Sequence, residues 1–567
     1  MAAKTEGVSD LSRHLSICAA GICCVAALVV CASEGGAPAR SATKARDPNA
    51  ACAQCHHEIY ERYRRTPMAN ASGTATAGFI AGDFVHSASG VHYRVFEESG
   101  HAWLSYERDS AAPDASLSGR QELLYFVGSG KRGRTYLFEQ GGYWFEAPIN
   151  WYDKKQIWDM APNFQAVREA PLTLPVDPGC LHCHASNVAR SLPEARNLYA
   201  NAPFADAGIT CTACHGDGEA HIGSNGKVHM LDIDALQAVR RDSVCLNCHL
   251  EGQTAVVRNG KEMADFRPGE DLFDFAVYFV YKSESGSGGR ATSQWESLLR
   301  SECKKKSGDR LTCTTCHDPH SSPGPEEKVS FYRQKCLQCH NSTGFAEKHH
   351  RENPDCTACH MARPPSNDIA HEQVTDHWIK RDISNERLPL ATSGDLEAVG
   401  GIPADDRDLG LGYAQMAERG NQAAGERAMR LLKQAESADK DARSDHELHT
   451  QLGFLEQMNR QPAVASEEYQ MALKADPYDA VAAGDLALLK AGQHQYPEAA
   501  ALWKSVFDHD PAELGAGMNL AIVECGLGNR ESALDTLDRL LTFSPDDRKA
   551  KVLQREIRSG SRRCGAR

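Results

Sequence analysis

Fourteen of the 21 cysteines in this 567-residue chain fall in seven Cys-x-x-Cys pairs, and a histidine directly follows each pair. The first four are Cys52-Ala-Gln-Cys55-His56, Cys180-Leu-His-Cys183-His184, Cys211-Thr-Ala-Cys214-His215 and Cys245-Leu-Asn-Cys248-His249. The other three are Cys313-Thr-Thr-Cys316-His317, Cys336-Leu-Gln-Cys339-His340 and Cys356-Thr-Ala-Cys359-His360. Two thiols separated by two residues reach the two vinyl groups of one haem, and the next residue projects its imidazole under the iron. Composition alone predicts about 0.03 such patterns in this length. Seven copies therefore predict seven covalently attached haems c, with the fourteen cysteines as anchors and the seven histidines as proximal ligands. Structural zinc also uses paired cysteines, but it needs no histidine immediately after every pair. A disulfide framework would not confine fourteen thiols to one tight spacing, and thioredoxin-like redox pairs come singly.

Seventeen histidines lie outside the proximal set, an ample supply for the other axial positions. A second His or Met on the iron suits an electron carrier, and an open face suits a catalyst. Residues 57–68 (HEIYERYRRTPM) predict a helix leaving the first motif. Met68 at its end is the expected ligand of the first iron, whose potential it would raise; otherwise it packs against the porphyrin. His86, His92 and His101 read as ordinary strand histidines, and His57 and His182 as solvent-facing. Cys303 stands outside any pair. It is either a free or bridged thiol, or a thiolate near a haem edge with its pKa depressed by Lys304, Lys305 and Lys306. Cys525 reads as repeat core, and Cys564 carries no inference.

Two stretches carry a resemblance. Cys313-Thr-Thr-Cys-His-Asp-Pro-His320 resembles the Cys-x-x-Cys-His-x-Pro-His signature of multihaem cytochromes, in which the second His ligates a neighbouring haem. His215-Gly-Asp-Gly-Glu-Ala-His221 resembles a stretch of the superfamily containing the nitrifier tetrahaem cytochrome and octahaem hydroxylamine oxidoreductase. The likeness covers roughly residues 50–380, in motif order more than in continuous similarity. It implies that His221 and His320 are distal iron ligands. By the same analogy, His349 or His350 before the last motif and His371 or His377 after it fill that role.

The elements that must position these groups divide the chain. Lys4 and Arg13 precede an apolar run, Leu15 to Ala32, and small residues follow, so residues 1–40 read as an export signal peptide. An uncleaved anchor is the alternative, because the run approaches the ~20 residues that span a bilayer; a lipoprotein site at Cys31 is weaker. Residues 41–390 form the expected heptahaem domain, with a β-rich insertion at about 75–150. There, Val91–Tyr106 and Thr135–Phe145 alternate around Ser99-Gly100 and Gly141-Gly142 as hairpins do. The segments between later motifs are too polar for an ordinary core, and bound porphyrins would have to supply the apolar mass. Residues 391–406 read as a linker. From 407 to 560, Asp476-Pro477, Asp510-Pro511 and Ser544-Pro545 recur every 34 residues, in register with Ala465, Ala499 and Ala533. That pattern resembles tetratricopeptide repeats (TPR), and an earlier degenerate unit is expected near 410–444. The fold class expected is mainly α: a haem-packed multihaem cytochrome domain with a small inserted antiparallel β-sheet, followed by an α-solenoid of TPR units.

The charge balance of 62 basic against 76 acidic residues, net −14, argues against nucleic acid as a partner. The expected protein is a periplasmic or otherwise extracytoplasmic electron carrier with redox protein partners, whose repeats dock another protein. The alternative is a multihaem oxidoreductase acting on a small nitrogen or sulfur compound at a five-coordinate haem. A third reading is a redox sensor or scaffold with the repeats as its working surface.

Overall fold

In the computed structural model, residues 47–565 are described except 163, 283–293, 343–352, 362–374, 382–393 and 439. The export segment, His349, His350 and His371 lie outside the described residues. No helix among the described residues is long and apolar enough to cross a membrane.

Two antiparallel sheets occupy the chain between the first and second motifs. Strands Gly82–His86, Val91–Glu98, His101–Arg108 and Leu117–Leu123 form a four-stranded meander. Its central hairpin closes on Ser99 and Gly100, both at positive φ (56° and 79°), the backbone that a two-residue turn needs to match strand twist. The inward faces are regular: Tyr93 pairs with Tyr106 and Val95 with Leu104, all buried. A seven-stranded sheet, whose longest strand is Gly133–Gln140, packs against it. Tyr93, Leu104, Phe138, Phe145, Ile149 and Met160 fill the layer between them. The insertion is thus larger than the small sheet expected, with strands running from Ser72 to Pro175. Several strands of the seven-stranded sheet, among them Tyr125–Val127 and Ile149–Tyr152, have only three or four residues. Such strands are too short for alternation to reveal.

The motif-bearing segments are different in kind. Helices Cys211–His215, Cys313–Cys316, Lys328–Leu337 and Cys356–His360 bury no side chain. A three-stranded sheet of Thr254–Val257, Ala276–Tyr281 and Leu396–Ala398 stands beside them. Its third strand corrects the linker expectation, because part of residues 391–406 is a sheet edge. Glycines and prolines make that stretch look unstructured, but Leu396 (7% exposed) and Val399 (3%) are buried.

The C-terminal region is a run of paired helices: Asp406–Glu418 with Gln422–Ala438, His446–Met458 with Pro462–Ala475, Ala480–Gly492 with Tyr496–His509, and Leu514–Gly526 with Arg530–Phe543, followed by Arg548–Ser559. Small residues sit where the helices touch. A Cβ on Gly453 would meet the Tyr469 ring at 2.5 Å, so only glycine permits that approach. Both ends of the run are joined to the rest. At the first end, Arg258 pairs with Asp408 at 2.8 Å, and Phe279 packs in one cluster with Leu411 and Ala414. At the other, Phe543 enters the β core beside Tyr143 and Phe145, and Arg108, whose side chain is 9% exposed, pairs with the buried Asp546.

Cys525 and Cys564 form a disulfide that ties the basic tail to the last complete repeat. It closes a loop of 39 residues, so Cys564→Ser should remove about 3–4 kcal/mol of stability from these helices. The expected result is a lower melting temperature of the helical circular dichroism signal, with reductant having the same effect on wild type and none on the variant. Equal melting of the two proteins would refute it.

Candidate haem-binding site

Local sequence explains how each motif is presented. Asp177 caps the helix Pro178–His184 by accepting from the Gly179 N–H at 2.7 Å, and Thr312 and Thr315 make a reciprocal capping box for Cys313–Cys316. Asp355 accepts from the Thr357 and Ala358 N–H groups at the start of Cys356–His360. Each cap fixes the turn that points two thiols and an imidazole to one side.

The motifs also touch one another. The Asn49 side chain accepts from the Cys211 N–H at 2.9 Å, joining the first motif to the third. Thiols of different motifs lie close enough to shift one another's ionisation: Cys52 with Cys211, Cys183 with Cys248, Cys245 with Cys313, and Cys336 with Cys356. His182 was read as solvent-facing; instead its Nε2 lies 3.0 Å from Asn247 Oδ1, and burial lowers its pKa. The contact joins the variable positions of the second and fourth motifs, a pairing no spacing could reveal.

Three proximal imidazoles each face another histidine. His56 and His221 have ring centroids 6.2 Å apart with planes at 18°. His215 and His320 are 5.9 Å apart at 9°, and His317 and His377 are 6.1 Å apart at 33°. Such gaps admit one iron with metal–nitrogen bonds of about 2.0 Å on each side. The far sides of the rings are tied down as metal ligands require. His221 Nδ1 lies 2.8 Å from the Val228 carbonyl and His377 Nδ1 3.1 Å from that of Thr375. His317 Nδ1 lies 3.3 Å from the Tyr332 hydroxyl. His360 Nδ1 is likewise 2.7 Å from the Lys380 carbonyl. Burial pushes the imidazoles of His215, His249 and His377 down, and that of His317 down to about 4, so they stand neutral, the form that binds metal. The donor set therefore fits haem iron.

The pairing follows a rule: the histidine facing a motif lies after the motif two places further along the chain. His221 follows the third motif, His320 the fifth and His377 the seventh. The Asp318-Pro-His320 turn is set by Asp318, which accepts from the His320 N–H at 2.9 Å and from the Ser321 hydroxyl at 2.7 Å. Ser301 holds the other segment, donating to the His377 carbonyl at 3.0 Å and accepting from the Ile379 N–H at 2.8 Å.

His221 stands opposite His56, and the carbonyl of Met68, the residue expected as ligand there, accepts from the Ile209 N–H at 3.0 Å. The β-segment histidines have other partners: His86 lies against Ser89 and the Gln165 carbonyl, His92 against Asp83 and Glu107, and His101 against Glu122. His57 is exposed. Cys303 carries a free thiol, but burial pushes its pKa up. Burial outweighs the bond from the Lys304 backbone N–H, and the Lys304 ammonium donates to the carbonyls of Gly308 and Leu311. One neighbour of the motifs had no sequence signal: Glu146, on the strand Tyr143–Glu146 near Cys180, is held by burial up to about 7.

Comparison with known proteins agrees with the motif chemistry. A profile for the doubled CXXCH motif matches residues 306–345, and one for cytochrome c554 and c-prime matches residues 152–216. A tetratricopeptide repeat profile matches residues 488–557. These matches support a multihaem c-type cytochrome fused to tetratricopeptide repeats, binding haem c covalently. No curated protein matches the chain. Among solved structures, MamA AMB-1 is similar at 21% identity and TM-score 0.24, over 28% of this chain and 80% of its own. MamA MSR-1 is similar at 20% and 0.24, over 28% and 84%, and Pseudomonas aeruginosa PilF at 21% and 0.24, over 28% and 69%. At these scores no property of those proteins is carried over.

Proposed function

We propose that the chain is an exported electron carrier holding seven haems c, related to the superfamily of the nitrifier tetrahaem cytochrome and hydroxylamine oxidoreductase. The observation that carries this reading is the set of three imidazole pairs, each about 6 Å between centroids. The iron supplies one-electron chemistry when bound. His56 with His221, His215 with His320 and His317 with His377 would each hold one iron, and the carbonyls of Val228 and Thr375 fix the rings of His221 and His377. The contacts between motifs support passage of electrons among neighbouring sites. Met68 has no part in this reading; His221, His320 and His377 are the distal ligands, and His350 is kept as a candidate for a further site. The repeats serve to dock a protein partner. Localisation outside the cytoplasm is supported by the Cys525–Cys564 bridge, since structural disulfides persist in oxidising compartments.

The test is a haem count by pyridine haemochrome and intact mass, with magnetic resonance of the oxidised protein. Seven haems, nearly all low-spin, are expected. One high-spin centre that binds an added ligand would favour a multihaem oxidoreductase instead. A count other than seven, or a mainly high-spin protein, would overturn the carrier.

A further inference from the structure

Away from the haem motifs, three titratable side chains from three helices meet inside the repeat domain. Glu436 comes from Gln422–Ala438, His449 from His446–Met458 and Glu468 from Pro462–Ala475. One nitrogen of His449 and one oxygen of each carboxylate all lie within 4.8 Å of one another. The His449 side chain is 0% exposed and that of Glu468 13%; Glu436 is half-buried. His449 Nδ1 lies 2.7 Å from Glu468 Oε2, and its Nε2 is buried with no hydrogen-bond partner. Two carboxylates this close repel unless positive charge lies between them. A buried ring nitrogen without a partner carries a further cost, which is rare unless something else occupies the site.

We propose that Glu436, His449 and Glu468 bind one divalent cation of the zinc class, which clamps together the first two helix pairs of the repeat domain. One imidazole and two carboxylates are the mixed nitrogen and oxygen donors that suit zinc, whereas magnesium and calcium take more ligands, all oxygen. Zinc–ligand bonds of about 2.0–2.2 Å set tetrahedral donor atoms roughly 3.4 Å apart. Water completes the fourth position from the open side at Glu436. The two carboxylates balance the charge of the cation, which replaces the proton they otherwise favour on His449. The site is independent of the haem reading.

The test uses the full haem-loaded chain, stripped with EDTA and then equilibrated with zinc, with zinc counted by elemental analysis against haem iron. Wild type is expected to hold one zinc more per chain than Glu436→Gln, whose affinity for that ion should fall about 100-fold. Zinc should raise the melting temperature of the helical signal in wild type and leave that of the variant unmoved. Glu468→Gln should behave in the same way, and circular dichroism identifies which variants have folded, so that either can decide. Equal zinc in wild type and a folded variant would mean an adventitious ion only, and would overturn the proposal. So would a wild-type chain that takes up none.

Discussion

Asp546→Ala is expected to cost about 3–5 kcal/mol and to loosen the last repeats from the β core. Asp546 is 0% exposed, in the turn between the last two helices. It accepts from both terminal nitrogens of Arg108, one at 3.0 Å, and from the Ala170 N–H at 2.7 Å. Removing it leaves the Arg108 guanidinium, 9% exposed, with the carbonyls of Ala115 and Ser89 but no compensating charge. An uncompensated buried charge is far costlier than a lost surface contact. Arg555, which pairs with Asp114 nearby, is 55% exposed, so Arg555→Ala should cost no more than about 1 kcal/mol. The double replacement Arg108→Met with Asp546→Leu should recover much of the loss, since apolar side chains can substitute for a buried pair. Denaturant unfolding followed by tryptophan fluorescence from the β core reads all three. If Asp546→Ala shifts the midpoint no further than Arg555→Ala, the ion pair is not what joins the two regions.

That junction was not legible in the sequence, and the reason is physical. Arg108 and Asp546 are far apart along the chain, and neither sits in a pattern that marks a partner. What the sequence carries is local constraint. Thioether attachment demands two thiols at fixed spacing with a histidine behind them, so all seven motifs could be read directly. Two-residue turns demand positive φ, which made Ser99-Gly100 and Gly141-Gly142 readable as hairpins. Helix pairs stacked at constant pitch demand a constant period, hence the 34-residue spacing of Pro477, Pro511 and Pro545. Tertiary choices leave no such trace. Met68 was expected on one helix with the first motif, but that helix ends at Tyr63, and His221 arrives from a separate segment to face the His56 ring. Lys304 follows Cys303 directly, but burial of the thiol, which adjacency in sequence does not reveal, decides the direction of its shift. Cys525 and Cys564 likewise gave no sign of pairing, because a single disulfide has no preferred spacing.

Replacing His221 should change one haem and leave the rest as they are. Its ring faces His56 across 6.2 Å, and its Nδ1 is held by the Val228 carbonyl, so Nε2 is the atom presented to the iron. In His221→Ala that iron loses its second imidazole. Magnetic resonance of the oxidised protein should then show a new high-spin signal amounting to one haem, with the haem count unchanged because Cys52 and Cys55 still anchor it. His221→Met should restore low spin and raise the potential of that centre by roughly 100 mV or more, since a thioether favours the reduced iron relative to an imidazole. Met68→Leu separates the two candidate ligands. With His221 in place, the leucine variant should match wild type in spectrum and potential. The opposite pattern, with Met68→Leu producing the high-spin centre and His221→Ala silent, would return the first iron to Met68 and break the rule that each facing histidine follows the motif two places on. Because that rule also sets His320 against His215 and His377 against His317, the outcome at His221 bears on how every described pair is read.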